Sequence, residues 1–213
     1  MILPLIRMAA AVVAVRTGYH RGIVVAVVVF VAVGQTHAAD WLALAPAVAG
    51  VLAVGARHWR RSTRRALVVG AVLCLPVLAD TIANWPGNLW RALRFTATAD
   101  EPVVGLGETV RVLGRATSLT FVRDGELPTF VGNVADTPWG AAPFAGVVAL
   151  GAAYALARQH RWTVWVRAAE ATALLWLGAL LMTWRTRGPL LVWLTTWTVA
   201  LAALTWCVAG AVA

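Results

Sequence analysis

The chain has no lysine. All eighteen of its Lys-or-Arg positions are arginine, set against only nine Asp and Glu, for a formal charge of +9. These arginines are scattered between apolar runs and form no interleaved basic and aromatic groove, which argues against a nucleic-acid partner. Cysteine is equally sparse. Cys74 and Cys207 both lie in apolar stretches, where a thiol behaves as a small hydrophobe and carries no information about redox compartment. Of the four histidines no two share a helical or hairpin spacing, so a histidine metal site is not expected. Nucleophilic triads, Walker-type phosphate loops and dinucleotide fingerprints are absent, and no cofactor is expected. There is no internal repeat. The first fifteen residues carry Arg7 inside an apolar run and lack a small-residue cleavage site, so they do not read as a signal peptide.

What is present is apolar. Hydrophobic residues make up 61% of the chain and the mean hydropathy is +0.76, well above the roughly 45–50% apolar content of a soluble domain. This predicts an all-α, polytopic helical membrane protein. Hydrophobic segments run over Ile2 to Val15, Gly22 to Thr36, Trp41 to Ala56, Ala66 to Ile82, Gly140 to Ala157, Thr163 to Trp184 and Pro189 to Ala213, about seven membrane segments in one domain, 1–213. The first three are shorter than the roughly 20 residues that cross about 30 Å of hydrocarbon. The first either crosses or lies in the interface as a helix.

Orientation follows from arginine. Arg57, Arg60, Arg61, Arg64 and Arg65 lie within nine residues without an acid among them, and positive loops stay in the cytoplasm. Counting outward from this arginine-rich turn places Arg16, Arg21, Arg158 and Arg161 inside as well. The opposite side then holds Asp40, the corner at Arg185 and Arg187, and a long outer loop at 83–138. Seven of the nine carboxylates fall between Asp80 and Trp139. A loop this long is rarely a mere connection. Within it, Leu89, Trp90, Leu93 and Phe95 with Arg91 and Arg94 predict a helix in the head-group layer. Leu106, Val110 and Leu113 with Glu108, Arg111 and Arg115 predict a second amphipathic helix. Gly125, Pro128, Gly132 and Pro138 predict an ordered loop after it.

Several outer residues have the chemistry of a site. Gln35, Thr36, His37 and Asp40 cluster at the tip between the second and third segments, where polar groups in a membrane point to function. Asp80 ends a span, where a carboxylate beside lipid serves as a base or holds a cation, or is an ordinary boundary residue. Arg185 and Arg187, followed by Gly188 and Pro189 at a helix start, resemble a phosphate clamp; the alternative is that both snorkel to head groups. Asn88 is positioned to cap the helix that follows Pro86 and Gly87, and is a further cavity candidate. Arg167 and Glu170, three apart, are placed to pair on one helix face.

The order Gln35-Thr36-His37, Leu75-Pro76 with Asp80, Pro86-Gly87-Asn88-Leu89, Gly105-Leu106, and Arg187-Gly188-Pro189 with Trp193 and Trp197 resembles the later half of actinobacterial membrane glycosyltransferases of the GT-C type. These use polyprenyl-phosphate-linked sugars and are related to protein mannosyltransferases and arabinosyltransferases. The resemblance runs from Gly22 to Ala213. It implies a cell-membrane protein whose Arg185 and Arg187 contact a polyprenyl phosphate and whose His37 and Asp80 line the cavity. Such enzymes carry a catalytic aspartate in the first outer loop, and no Asp or Glu precedes Asp40 here. The expectation is therefore a component without its own catalytic aspartate, working with a partner subunit that supplies it. The alternative is a non-catalytic scaffold of a larger complex.

Overall fold

The computed structural model of the chain describes residues 2–36, 40–85, 87, 90, 91, 94, 98, 102–118, 144–187 and 197–213. Among the described residues eight helices are delimited: α1 (Ile2–Arg16), α2 (Gly22–Thr36), α3 (Asp40–His58), α4 (Arg60–Ala83), α5 (Leu106–Ser118), α6 (Ala145–Gln159), α7 (Thr163–Arg185) and α8 (Trp197–Val212). The pairing of β type among these residues is one isolated antiparallel bridge, Val103 to Arg187. Among the described residues the class is all-α, and each of the seven hydrophobic segments contributes one of the delimited helices. The expected head-group helix is described at positions 90, 91, 94 and 98, which are helical; the ordered loop expected after α5 lies outside the described residues.

Two helices, α4 with 24 residues and α7 with 23, are long and apolar enough to cross a membrane. They support a membrane association. The seven crossings expected from the sequence are not reached on this criterion: Gly22–Gln35, Ala43–His58 and Thr198–Val212 are shorter apolar helices. Fifteen residues, the length of α2, rise only about 22 Å against about 30 Å of hydrocarbon. The composition of α2 is instructive all the same. Ile23 and the seven valines between Val24 and Val33 would favour a strand in water. The segment is helical, with Ile23, Ala26, Val27, Val29, Val31 and Val33 buried in the main core, so tertiary surroundings override propensity.

Between α1 and α2 the chain reverses at Gly18, whose φ of 105° suits a residue without a side chain. Tyr19 N–H donates to the Ala14 carbonyl at 2.7 Å and Gly18 N–H to that of Val15 at 3.2 Å, the paired bonds that close a Schellman helix end. The corner between α3 and α4 is tighter, one residue long. Trp59 N–H donates to the Gly55 carbonyl at 2.7 Å, and Thr63 N–H to that of Trp59 at 3.0 Å. The arginine-rich turn expected here is a correction: Arg60, Arg61, Arg64 and Arg65 form the first two turns of α4 itself. Arginine is a good helix former and no glycine or proline interrupts it, so the helix begins as soon as the corner is passed.

Helix α7 is the centre of the bundle, packing against α1, α3, α5, α6 and α8. Its closest approach is to α3, where Gly178 lies so near the Ala43 backbone that any β-carbon would collide with it. Helix α5 also departs from expectation. Leu106, on the predicted apolar stripe, is 53% exposed, whereas Arg115, on the predicted polar side, is 7% exposed. The reason is enclosure: α5 packs against α6, α7 and α8, and residues 112–117 are all buried. Trp206 Nε1 donates to the Thr117 carbonyl at 2.9 Å and Phe144 N–H to that of Gly114 at 3.1 Å, which fixes the C-terminal half of α5 as a wedge in the bundle.

Candidate functional site

The C-terminal end of α7 meets the segment that leads into α5. Thr186 leaves the helix in an extended conformation, its hydroxyl donating back to the Met182 carbonyl at 2.9 Å. Val104 N–H donates to the Thr186 carbonyl at 2.9 Å, and Val103 bridges Arg187. Residues 103 and 104 therefore strap the corner that carries the two arginines. Arg185 is exposed on the last turn of α7, where the negative end of the helix dipole favours a cation. Arg187 is half-buried on the strap. The helix start expected at Gly188 and Pro189 lies outside the described residues.

Beneath this corner lie polar atoms that the sequence did not single out. Thr109, one turn into α5, is fully buried, and Thr183, one turn before Thr186, is 1% exposed. Among the described residues neither hydroxyl has a hydrogen-bond partner, and Arg111 Nε is likewise shielded and unpartnered. Leaving a buried donor or acceptor unmade costs about 1–3 kcal/mol. Three such atoms lie on two packed helices whose ends meet at the corner that carries Arg185 and Arg187. A threonine within an apolar helical run reads as tolerated polarity, so the sequence gives no signal for these two; Arg111 and Arg115 were visible only as a polar stripe.

The other predicted residues gather elsewhere. Gln35, exposed at the end of α2, donates through Nε2 to the Leu73 carbonyl of α4. Asp80 is half-buried and accepts from Asn84 Nδ2 at 2.9 Å, one turn further along, so it braces the end of its own helix. These two belong to the α2–α4 side of the bundle, while Arg185 and Arg187 belong to the α5–α7 side. Asp40 opens α3, with its side chain outside the described residues; His37 and Asn88 are outside them as well. Among the described residues no three His, Cys, Asp or Glu side chains come together.

At the opposite end of the bundle the pair expected on α7 is present and is larger than expected. Arg167 Nη1 donates to both oxygens of Glu170 at 2.8 Å. Arg16, from the last turn of α1, adds Nη2 at 2.9 Å and Nε at 3.3 Å to the same carboxylate. Arg16 lies 154 positions from Glu170, and a separation of that size leaves no periodic trace.

Compared with known proteins, the chain matches no family model, no curated protein and no solved structure. The fold alone defines its class: an all-α bundle with two candidate membrane-crossing helices.

Proposed function

We propose that this protein is a multi-pass cell-membrane component that holds a phosphate-linked lipid at the corner between α5 and α7, on the side away from the basic helix ends. The most specific form of this reading is a component of a GT-C-like glycosyltransferase using a polyprenyl-phosphate-linked sugar. An acceptor hydroxyl would displace the lipid phosphate from the sugar carbon, and Arg185 and Arg187 would stabilise the charge that develops on the departing phosphate. A partner subunit would supply the base. The shorter helices would complete about seven membrane segments, by local thinning or by shelter among neighbours.

The observation that carries this reading is three polar atoms, Thr109 Oγ1, Thr183 Oγ1 and Arg111 Nε, buried and without partners among the described residues on the two helices whose ends meet at the arginine corner. The test is retention of a polyprenyl phosphate by the purified full chain, followed by native mass spectrometry. Arg185→Ala with Arg187→Ala should weaken retention at least about tenfold, as expected for loss of charge-assisted hydrogen bonds. Thr109→Val with Thr183→Val should weaken it by a smaller factor. Unchanged retention in both double variants would refute the site. Sugar transfer by the chain co-purified with its genomic neighbours tests the glycosyltransferase form of the reading.

A second reading, a scaffold subunit, is favoured by one feature. The flank of α4 formed by Leu67, Val68, Val72, Leu75, Leu78 and Ile82 is exposed along the length of the helix. Photo-crosslinkers on that flank would capture lipid under the first reading and one defined protein under the second.

A further inference from the structure

The end of the bundle that carries the triad also carries a cleft of about 600 Å³. The α1–α2 turn, the end of α3 and the start of α7 enclose it, and Arg16, Gly18, Arg57, Trp59 and Arg167 are among its walls. Three guanidinium groups therefore line the cleft, and two of them, Arg16 and Arg167, are bound by one carboxylate, Glu170. Glu170 neutralises one charge of the three, which leaves a surplus of two.

The way Glu170 is held matters more than the count. It engages Nε and Nη2 of Arg16 and only Nη1 of Arg167. Both guanidiniums are thereby fixed in place, yet Nη1 of Arg16 and Nη2 of Arg167 keep their protons free of protein acceptors among the described residues. Arg167 Nε is shielded from solvent with no partner among the described residues. Arg57 is exposed on the last turn of α3, and no ion pair among the described residues engages it. Trp59, on the same wall, is the N-cap of α4 and makes no side-chain cap bond, so the positive end of that helix dipole also lies against the cleft.

Fixed forked donors with a surplus of positive charge suit a tetrahedral oxyanion better than a single carboxylate. We propose that this cleft is a second anion site, one that binds a phosphate group, with Arg57 as the main contact and Arg16 and Arg167 as donors held in position by Glu170. Lipid head groups and soluble phosphate esters share that chemistry. The site stands apart from the α5–α7 corner and does not depend on any role assigned there.

The test uses the full chain in nanodiscs. In discs of phosphatidylcholine alone, pyrophosphate binding is measured by calorimetry; in discs that also contain phosphatidic acid, retention of that lipid is measured by native mass spectrometry. Saturable pyrophosphate binding identifies a soluble ligand, and retained phosphatidic acid that pyrophosphate does not displace identifies a lipid head group. In whichever arm binds, Arg57→Gln should weaken binding at least about tenfold, since it deletes a charge-assisted contact from a residue with no structural partner. Glu170→Gln should weaken it by a smaller factor, since Arg16 and Arg167 lose the carboxylate that holds them in position. Arg61→Gln, an exposed change on α4 outside the cleft walls, should alter it less than about twofold, as a screened surface charge does. Absence of binding in both arms overturns the proposal. So does equal loss in Arg57→Gln and Arg61→Gln, which would mark a diffuse basic surface in place of a site.

Discussion

Helices α4 and α7 have nearly the same length, 24 and 23 residues, and both pass as candidate membrane spans, yet their surroundings are opposite. Only 11% of the most apolar window of α4 is buried, against 33% for α7. Helix α4 packs on α2 and α3 and buries just Thr63, Ala66 and Gly70, all in its first half. Helix α7 packs on five helices through Ala169, Ala171, Thr172, Leu175, Gly178, Ala179, Met182 and Thr183. The helix with the more apolar membrane window is thus the outer one. A helix surrounded by lipid gains from large apolar side chains on every face, while a central helix needs small ones that let backbones approach. Hydropathy finds both spans, but the distribution of small residues tells them apart.

The largest expected effect tests the environment of α4. Val72 lies midway along the helix and is 56% exposed, so Val72→Arg removes little protein packing. If lipid covers this face, an arginine at the centre should raise the insertion free energy of the helix by about 3 kcal/mol. A membrane-insertion reporter fused to α4 reads this directly, and an unchanged insertion fraction would mean that the face meets something other than hydrocarbon. Next in size is Gly178→Val on α7. Its side chain would drive into the Ala43 backbone, which cannot swing aside as a side chain can. Unfolding in mild detergent should show a loss of about 2–3 kcal/mol. Ala79→Val on the exposed side of α4 is the matched control and should stay within about 0.5 kcal/mol. Similar losses at both positions would erase the contrast.

Much of this architecture was legible in the chain. The seven apolar runs each produced a helix among the described residues because hydrophobic length is a local property. The start of α4 was misplaced by hydropathy, which ends a span where charge begins, although four arginines extend a helix without difficulty. The wedge made by α5 was hidden for another reason. Its periodicity assigned Arg115 to a solvent face, but a helix enclosed by three others has no such face at its C-terminal half. Of the candidate site, Arg185 and Arg187 stood out as a pair of arginines followed by Gly188 and Pro189. Thr109 and Thr183 did not, since a buried hydroxyl without a partner is a fact of three-dimensional packing alone. Arg16 was missed as a partner of Glu170 on the same ground.

A smaller effect is expected at that triad, and it sharpens what holds α7 at the centre. Glu170→Gln keeps the shape of the side chain but leaves Arg16 and Arg167 facing each other without a counter-charge. The partners are partly exposed, with side-chain accessibilities of 37% for Arg16, 30% for Arg167 and 22% for Glu170, so solvent screens much of the repulsion. A loss of about 1–2 kcal/mol is expected, between the values for surface and buried pairs. Because Arg16 sits on α1, the loss should appear first as separation of α1 from α7, visible as increased proteolysis at the α1–α2 turn. Stability equal to that of the parent would mean that apolar packing alone docks α1.

The smallest expected effect is the most discriminating. Leu78 is a large apolar residue on α4, 49% exposed, in the half of the helix that has no fully buried residue. If lipid covers it, Leu78→Ala exchanges one lipid contact for another, and unfolding in a bilayer or in detergent should shift by no more than about 0.5 kcal/mol. Were the same leucine part of a packed interface with another protein, its truncation would open a cavity and cost about 2–5 kcal/mol in the stability of that assembly. The comparison is best made on the chain extracted with its native neighbours and on the chain alone. A small shift in both preparations leaves α4 as a lipid-facing helix. A large shift confined to the native preparation would identify the α4 flank as a protein interface and move the balance to the scaffold reading.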